Sequence, residues 1–190
     1  VCADSLHVLK HLTDDFRKLR TRLLRNTEDP VLKYLLVKFR NVFAHNKKID
    51  NEPRYNKRLN KYVNLRDIRD ILFDAFAELK VAYELKEYYI RLNAETTLEE
   101  APDAIDKTIE YFEGCGIDEY EEFYKLLTNW RKEIVNSFTL INGRRINNSY
   151  MESKNRVVGR LIFNANGFKN FKRTRNRILY CLNPSDTFKM

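Results

Sequence analysis

Apolar residues recur at helical spacing along most of the chain. In "SLHVLKHLTDDFRKLRTRLL" they fall at Leu6, Leu9, Leu12, Phe16, Leu19 and Leu23, which predicts a first helix with Asp4 or Ser5 as its cap. The preceding "VCAD" is short, β-prone and apolar, and reads as the tail of a strand. Pro30 opens a second helix with Leu32, Leu35, Phe39 and Val42 on one face. Residues 45–64 lose the period and read as a polar, basic loop in which His45 has no companion. A third helix follows over Leu65–Phe76, and a fourth carries Val81, Leu85, Tyr88 and Leu92 in step. A helix from Pro102 to Phe112 is stopped at Gly114 and Gly116. Tyr120, Phe123, Leu127, Trp130, Ile134 and Phe138 make the next stripe, and "LINGRRIN" contains a turn. Helices over 147–164 and Phe168–Leu182 complete a mainly α chain of seven or eight antiparallel helices.

Composition agrees with that class. Only 5 Gly and 4 Pro are present, too few for an all-β chain of many tight turns. No apolar run approaches the roughly 18–20 residues of a membrane span, and no signal peptide is visible. Cys2, Cys115 and Cys181 are far apart and odd in number, which reads as reduced thiols in a cytoplasmic protein. The chain starts on Val1 rather than Met and reads as a piece of something longer.

Charge separates the chain into two parts. Residues 131–190 hold 13 Lys+Arg and 3 Asp+Glu, whereas residues 1–130 hold 22 and 24. The last third therefore carries all the excess positive charge, which points to a polyanionic partner. Within that third, Glu152 is the single acid between Glu133 and Asp186. Two readings are open for it. It can pair with Arg156 one helical turn on, or serve as a hard carboxylate ligand for Mg²⁺ in a phosphate-binding surface.

Other chemistries find little support. Asp4, His7 and His11 share a helical face, but a zinc site needs a further strong ligand. The chain has no Gly-x-Ser-x-Gly elbow, no Cys with a recognisable His partner, no phosphate-cradling Gly-rich loop and no zinc-finger spacing.

Residues 147–179, "NNSYMESKNRVVGRLIFNANGFKNFKRTRNRIL", resemble the C-terminal signature of bacterial ISL3-type insertion-sequence transposases. The matching features are Glu152, Asn155 three residues on, a basic helix, the Asn166-Gly167-Phe168 turn, Phe171, Arg175, and Arg177-Ile178-Leu179. The start of the chain is similar to the same family, because "VCADSLHVLKHL" fits its strand-ending Ala-Asp-x-x-His-Val. "AYELKEYY" at 82–89 resembles a stretch of the family's helical insertion. Ser153 stands where the family commonly has Gly, and Ile162-Phe163 where it has Lys-Arg.

The resemblance implies a fold and a chemistry. Residues 1–24 would be a residual strand end and helix of an RNase H-like core, 25–138 an all-helical insertion, and 139–190 basic C-terminal helices of that core. At most one short strand would remain, at the N-terminus. Asp4 and Glu152 would be the second and third carboxylates of a DDE site, supported by His7, with the first Asp upstream of Val1. In the intact parent these would hold Mg²⁺ or Mn²⁺ and cut and join DNA at transposon ends. This fragment alone would bind DNA without metal or activity. The expected DNA contacts are Arg144, Arg145, Asn147, Asn148, Lys154, Asn155, Arg156, Arg160, Lys169, Lys172 and Arg173. The expected partners are DNA and a second copy of the chain, with no membrane and no small-molecule substrate. The competing class is a non-enzymatic, basic helical module for nucleic-acid binding or protein assembly.

Overall fold

The computed structural model describes residues 2–45, 49–141, 143–145, 149–165 and 170–182. The chain separates into two compact units, Val1–Ile146 and Asn147–Met190.

The first unit is a helical assembly around one core. Its helices are α1 (Ser5–Asn26), α2 (Pro30–Lys38), α3 (Leu65–Ala75), α4 (Ala77–Glu95), α5 (Ala101–Glu113), α6 (Glu121–Asn129) and α7 (Arg131–Asn136). Short 3₁₀ turns cover Arg40–Phe43 and Asp118–Tyr120. Helix α1 buries Val8, Leu12, Phe16, Leu19 and Leu23, packing on α4, on α2 and on the 3₁₀ turn Asp118–Tyr120. The predicted stripe is thus present, except that Leu6 faces solvent. An aromatic cluster joins α4, α5 and α6. Phe123 meets Phe112 and Tyr89 at centroid distances of 4.9 and 5.4 Å, and the Tyr120 hydroxyl donates to the Ala82 carbonyl at 2.8 Å.

Three details depart from the sequence pattern. Helix α4 buries Leu79, Ala82, Tyr83, Lys86, Glu87, Tyr89 and Leu92; of the Val81–Leu85–Tyr88–Leu92 stripe Leu92 is buried, Leu85 and Tyr88 are half-buried against the core, and Val81 is exposed. The predicted 120–138 helix breaks at Trp130 (φ −109°, ψ 19°), so Trp130 is exposed while Phe123, Leu127 and Ile134 stay in the core. Among the described residues, Cys2–Asp4 belongs to no strand. Asp4 is extended, and the Ala3 N–H donates to the Glu133 carbonyl of α7 at 2.8 Å.

The strands lie elsewhere. The polar loop contains an antiparallel hairpin, β1 (Arg54–Asn56) with β2 (Lys61–Val63), paired Arg54↔Val63, Tyr55↔Tyr62 and Asn56↔Lys61. A second hairpin, β3 (Leu140–Ile141) with β4 (Arg144–Arg145), turns through Gly143 at φ +74°. His45 is a loop residue, but it does have a companion. Its Nδ1 lies 2.6 Å from Glu87 Oε2. Glu87 also pairs with Lys86, whose buried ammonium donates to the Phe43 carbonyl at 2.6 Å and sits 4.6 Å from the centre of the Tyr83 ring. Burial dominates the Lys86 titration and lowers its pKa, against the pull of Glu87. Burial works to raise the Glu87 pKa, yet Lys86 and His45 together bring it below the ordinary value.

The β1–β2 hairpin leads into α3 through a reciprocal cap. Asn64 Oδ1 accepts from the Asp67 N–H at 2.9 Å, and Asp67 Oδ2 accepts from the Asn64 N–H at 2.8 Å. Asn64→Ala removes the side-chain acceptor, so it is expected to cost about 1 kcal/mol. The urea midpoint should fall by about half a molar, and Asn64→Ser should restore most of it. An unchanged midpoint would show that the cap contributes nothing.

The second unit is built from two helices, α8 (Ser149–Asn164) and α9 (Phe171–Leu182), which pack on one another. None of their described side chains is buried.

Candidate metal ligands and nucleic-acid contacts

Asp4 sits in extended conformation (φ −80°, ψ 114°) as the N-cap of α1. Its Oδ1 accepts from the Leu6 N–H at 2.9 Å, and its Oδ2 lies 3.4 Å from His7 Nδ1. The sequence dictates this arrangement locally. An Asp before a helix takes the cap because its carboxylate reaches the free N–H groups of the first turn, and a His three residues on comes over the same face. The helix dipole favours the negative charge there. An ionised carboxylate offers about four lone-pair sites, so capping leaves acceptor capacity for a hard cation. A carboxylate is a hard oxygen donor, the ligand type that suits Mg²⁺ or Mn²⁺ better than zinc. Among the described residues, no carboxylate–histidine group includes His11, so the Asp4–His7–His11 pattern does not close.

Glu152 lies in the first turn of α8. It shares an open, shallow face of that helix with Asn155, Arg156, Gly159, Arg160 and Phe163. Arg156 is exposed and makes no ion pair with Glu152 among the described residues. The intrahelical pair that the i, i+4 spacing allows is therefore not formed.

The expected DNA contacts differ in how they are placed. Asn155, Arg156 and Arg160 are exposed on α8, and Lys172 and Arg173 on α9. Arg175 and Arg177 are exposed on α9 as well; they belong to the quoted motif and extend the cationic surface beyond the residues singled out as contacts. Lys154 donates to the Leu182 carbonyl at 3.3 Å, placing its ammonium at the C-terminal end of α9. Arg145 is committed inside the first unit. Its guanidinium donates to Asn93 Oδ1 at 3.2 Å and to the Thr96 carbonyl at 3.1 Å, and lies 4.2 Å from the centre of the Phe138 ring. Burial lowers its pKa. Asn147, Asn148, Lys169 and the Asn166–Phe168 turn lie outside the described residues, as does the side chain of Arg144.

No helix among the described residues is long and apolar enough to cross a membrane. Neither a curated protein nor a solved structure matches the chain. A family model for transposases of the ISL3-type DDE class matches residues 1–178. That span takes in the Asp4 cap, the helical assembly and the Glu152 helix, and the chain belongs to the ISL3 family of DDE transposases.

Proposed function

We propose that the chain carries two of the three carboxylates of a DDE active site, Asp4 and Glu152, together with much of its DNA bed. The observation that carries this reading is the order of two motifs along a chain matched over residues 1–178. The acid capping the first helix and the acid opening α8 would serve as the family's second and third carboxylates. The RNase H-like core would be completed by the strands that supply the first Asp. In the complete transposase, bound Mg²⁺ or Mn²⁺ would supply the charge that activates a hydroxyl and stabilises the leaving oxygen. This chain's residues have simpler tasks. Asp4 and Glu152 offer oxygen ligands, and His7 orients Asp4 from 3.4 Å. Arg156, Arg160, Lys172 and Arg173 hold phosphates along the strand.

The chain by itself is expected to bind duplex DNA and to leave it uncut. Anisotropy of a labelled duplex should show affinity falling at least roughly a hundredfold between 50 and 200 mM salt, as about four released counterions require. Arg156→Ala/Arg160→Ala/Arg173→Ala should lower the slope by about 2–3. Absence of binding at low salt would sink the DNA-bed assignment. Mg²⁺-dependent cleavage by the purified chain would show that two carboxylates suffice.

A further inference from the structure

The β1–β2 hairpin has a composition that the catalytic reading does not use. Residues 53–66, "PRYNKRLNKYVNLR", hold five Lys+Arg and no acid. One side of the ribbon is anchored, since Asn56 and Val63 are buried against the first unit. The other side presents Tyr55 and Tyr62, a directly opposed pair 51% and 72% exposed, with ring centroids 5.3 Å apart at 60°. The two opposed rings form one contiguous exposed aromatic face on the ribbon, the kind of surface that a binding partner covers.

The tip is cationic and braced. Asn56 Oδ1 accepts from the Arg58 and Leu59 N–H groups at 2.9 and 3.3 Å, and Asn60 closes the turn at φ +50°. The Arg58 guanidinium lies 5.7 Å from the centre of the Tyr34 ring of α2. Arg54, at the base, pairs with Asp50 at 3.2 Å. Lys57, Arg58 and Lys61 are exposed and make no ion pair among the described residues. This is a preordered strip of positive charge beside two stacking faces, held on a folded core.

We propose that this hairpin is a second DNA-contact element, lying in a groove of duplex DNA. The major groove admits a two-stranded ribbon. Lys57, Arg58 and Lys61 would meet phosphates, and Tyr55 and Tyr62 would pack on sugars or base edges. A protein partner for the tyrosines would call for acids opposite the cations. Duplex DNA supplies that charge at every step of its backbone. The proposal rests on the reading that the partner of this chain is DNA, and it adds a contact in the helical insertion that the C-terminal basic helices do not provide.

The test uses the whole chain and a fluorescein-labelled 25-base-pair duplex, titrated at several salt concentrations. Lys57→Ala/Arg58→Ala/Lys61→Ala should reduce the salt slope by about 2–3 and weaken binding about tenfold. Tyr55→Ala/Tyr62→Ala should weaken binding with little change in slope, and Tyr55→Phe/Tyr62→Phe should recover most of it. All these side chains are exposed, so an unchanged melting temperature confirms that each variant is folded. Wild-type affinity and slope in both alanine variants would overturn the proposal, while loss of binding in the α8–α9 triple variant would still uphold the C-terminal bed. Loss confined to the hairpin variants would do the reverse. Tighter binding of single-stranded RNA than of duplex DNA would overturn the groove assignment.

Discussion

Asp4→Asn in the complete transposase is expected to reduce strand cleavage at least about a thousandfold while leaving the fold as stable as before. The two effects separate because Asp4 has two roles with different chemical requirements. As N-cap it needs one acceptor oxygen for the Leu6 N–H, and Asn supplies that as well as Asp does. As a proposed metal ligand it needs a negative charge, which Asn lacks. Losing an anionic ligand at a catalytic divalent ion removes several kcal/mol of transition-state stabilisation, and each 1.4 kcal/mol is about tenfold in rate. Asp4→Ala removes both roles, so it should add a stability loss of about 1 kcal/mol. Cleavage of a labelled transposon-end duplex, read beside thermal melts of the same variants, resolves the two. Near-normal cleavage by Asp4→Asn would remove Asp4 from the site. Activity that tracked melting temperature across both variants would reduce it to a cap.

That Asp4 could be singled out at all follows from locality. Capping depends on the residue and the few that follow it, so the Asp4 cap, the α1 stripe and the Gly114 stop of α5 were readable from neighbouring residues. Features decided by distant partners were not. The buried face of α4 includes Lys86 and Glu87, and two charged residues inside a stripe hide its phase from any hydrophobicity pattern. Their burial is tolerated because Phe43, His45 and Tyr83 supply partners, and Phe43 and His45 lie some forty residues away. The sequence sets Arg145 among the phosphate-binding cations for the same reason. Nothing adjacent signals that Asn93 and Thr96 take its donors. The β1–β2 hairpin is hidden in the sequence because its strands are three residues long, and β1 turns Tyr55 outward and Asn56 inward, the inverse of the apolar-in alternation that marks a half-buried strand. The carboxylates rest on the family resemblance, whereas the division of the cations into exposed and internally engaged ones rests on side-chain geometry.

Hydrogen exchange should divide the chain at the same boundary as its packing. Helices α1, α4, α5 and α6 share a core in which Leu12, Leu19, Leu79, Ile105, Phe123 and Leu127 are fully buried. Their amides open only with much of that core, which for a domain of this size costs at least several kcal/mol. Helices α8 and α9 bury none of their described side chains, and Phe163 and Phe171 are each 82% exposed. A helix of 12 to 16 residues without a buried face is marginal in water, so α8 and α9 have little to hold them closed. Their amides are expected to exchange at least about a thousandfold faster than those of α4. Duplex DNA should slow them, because phosphate contacts from Arg156, Arg160 and Arg173 bind the helical form and not the open one. Salt should reverse that protection in step with the loss of binding. Slow exchange of α8 and α9 in the free protein would show that these helices hold themselves together without a core. Exchange unchanged by DNA would separate them from the binding surface and leave the tyrosine hairpin as the contact to pursue.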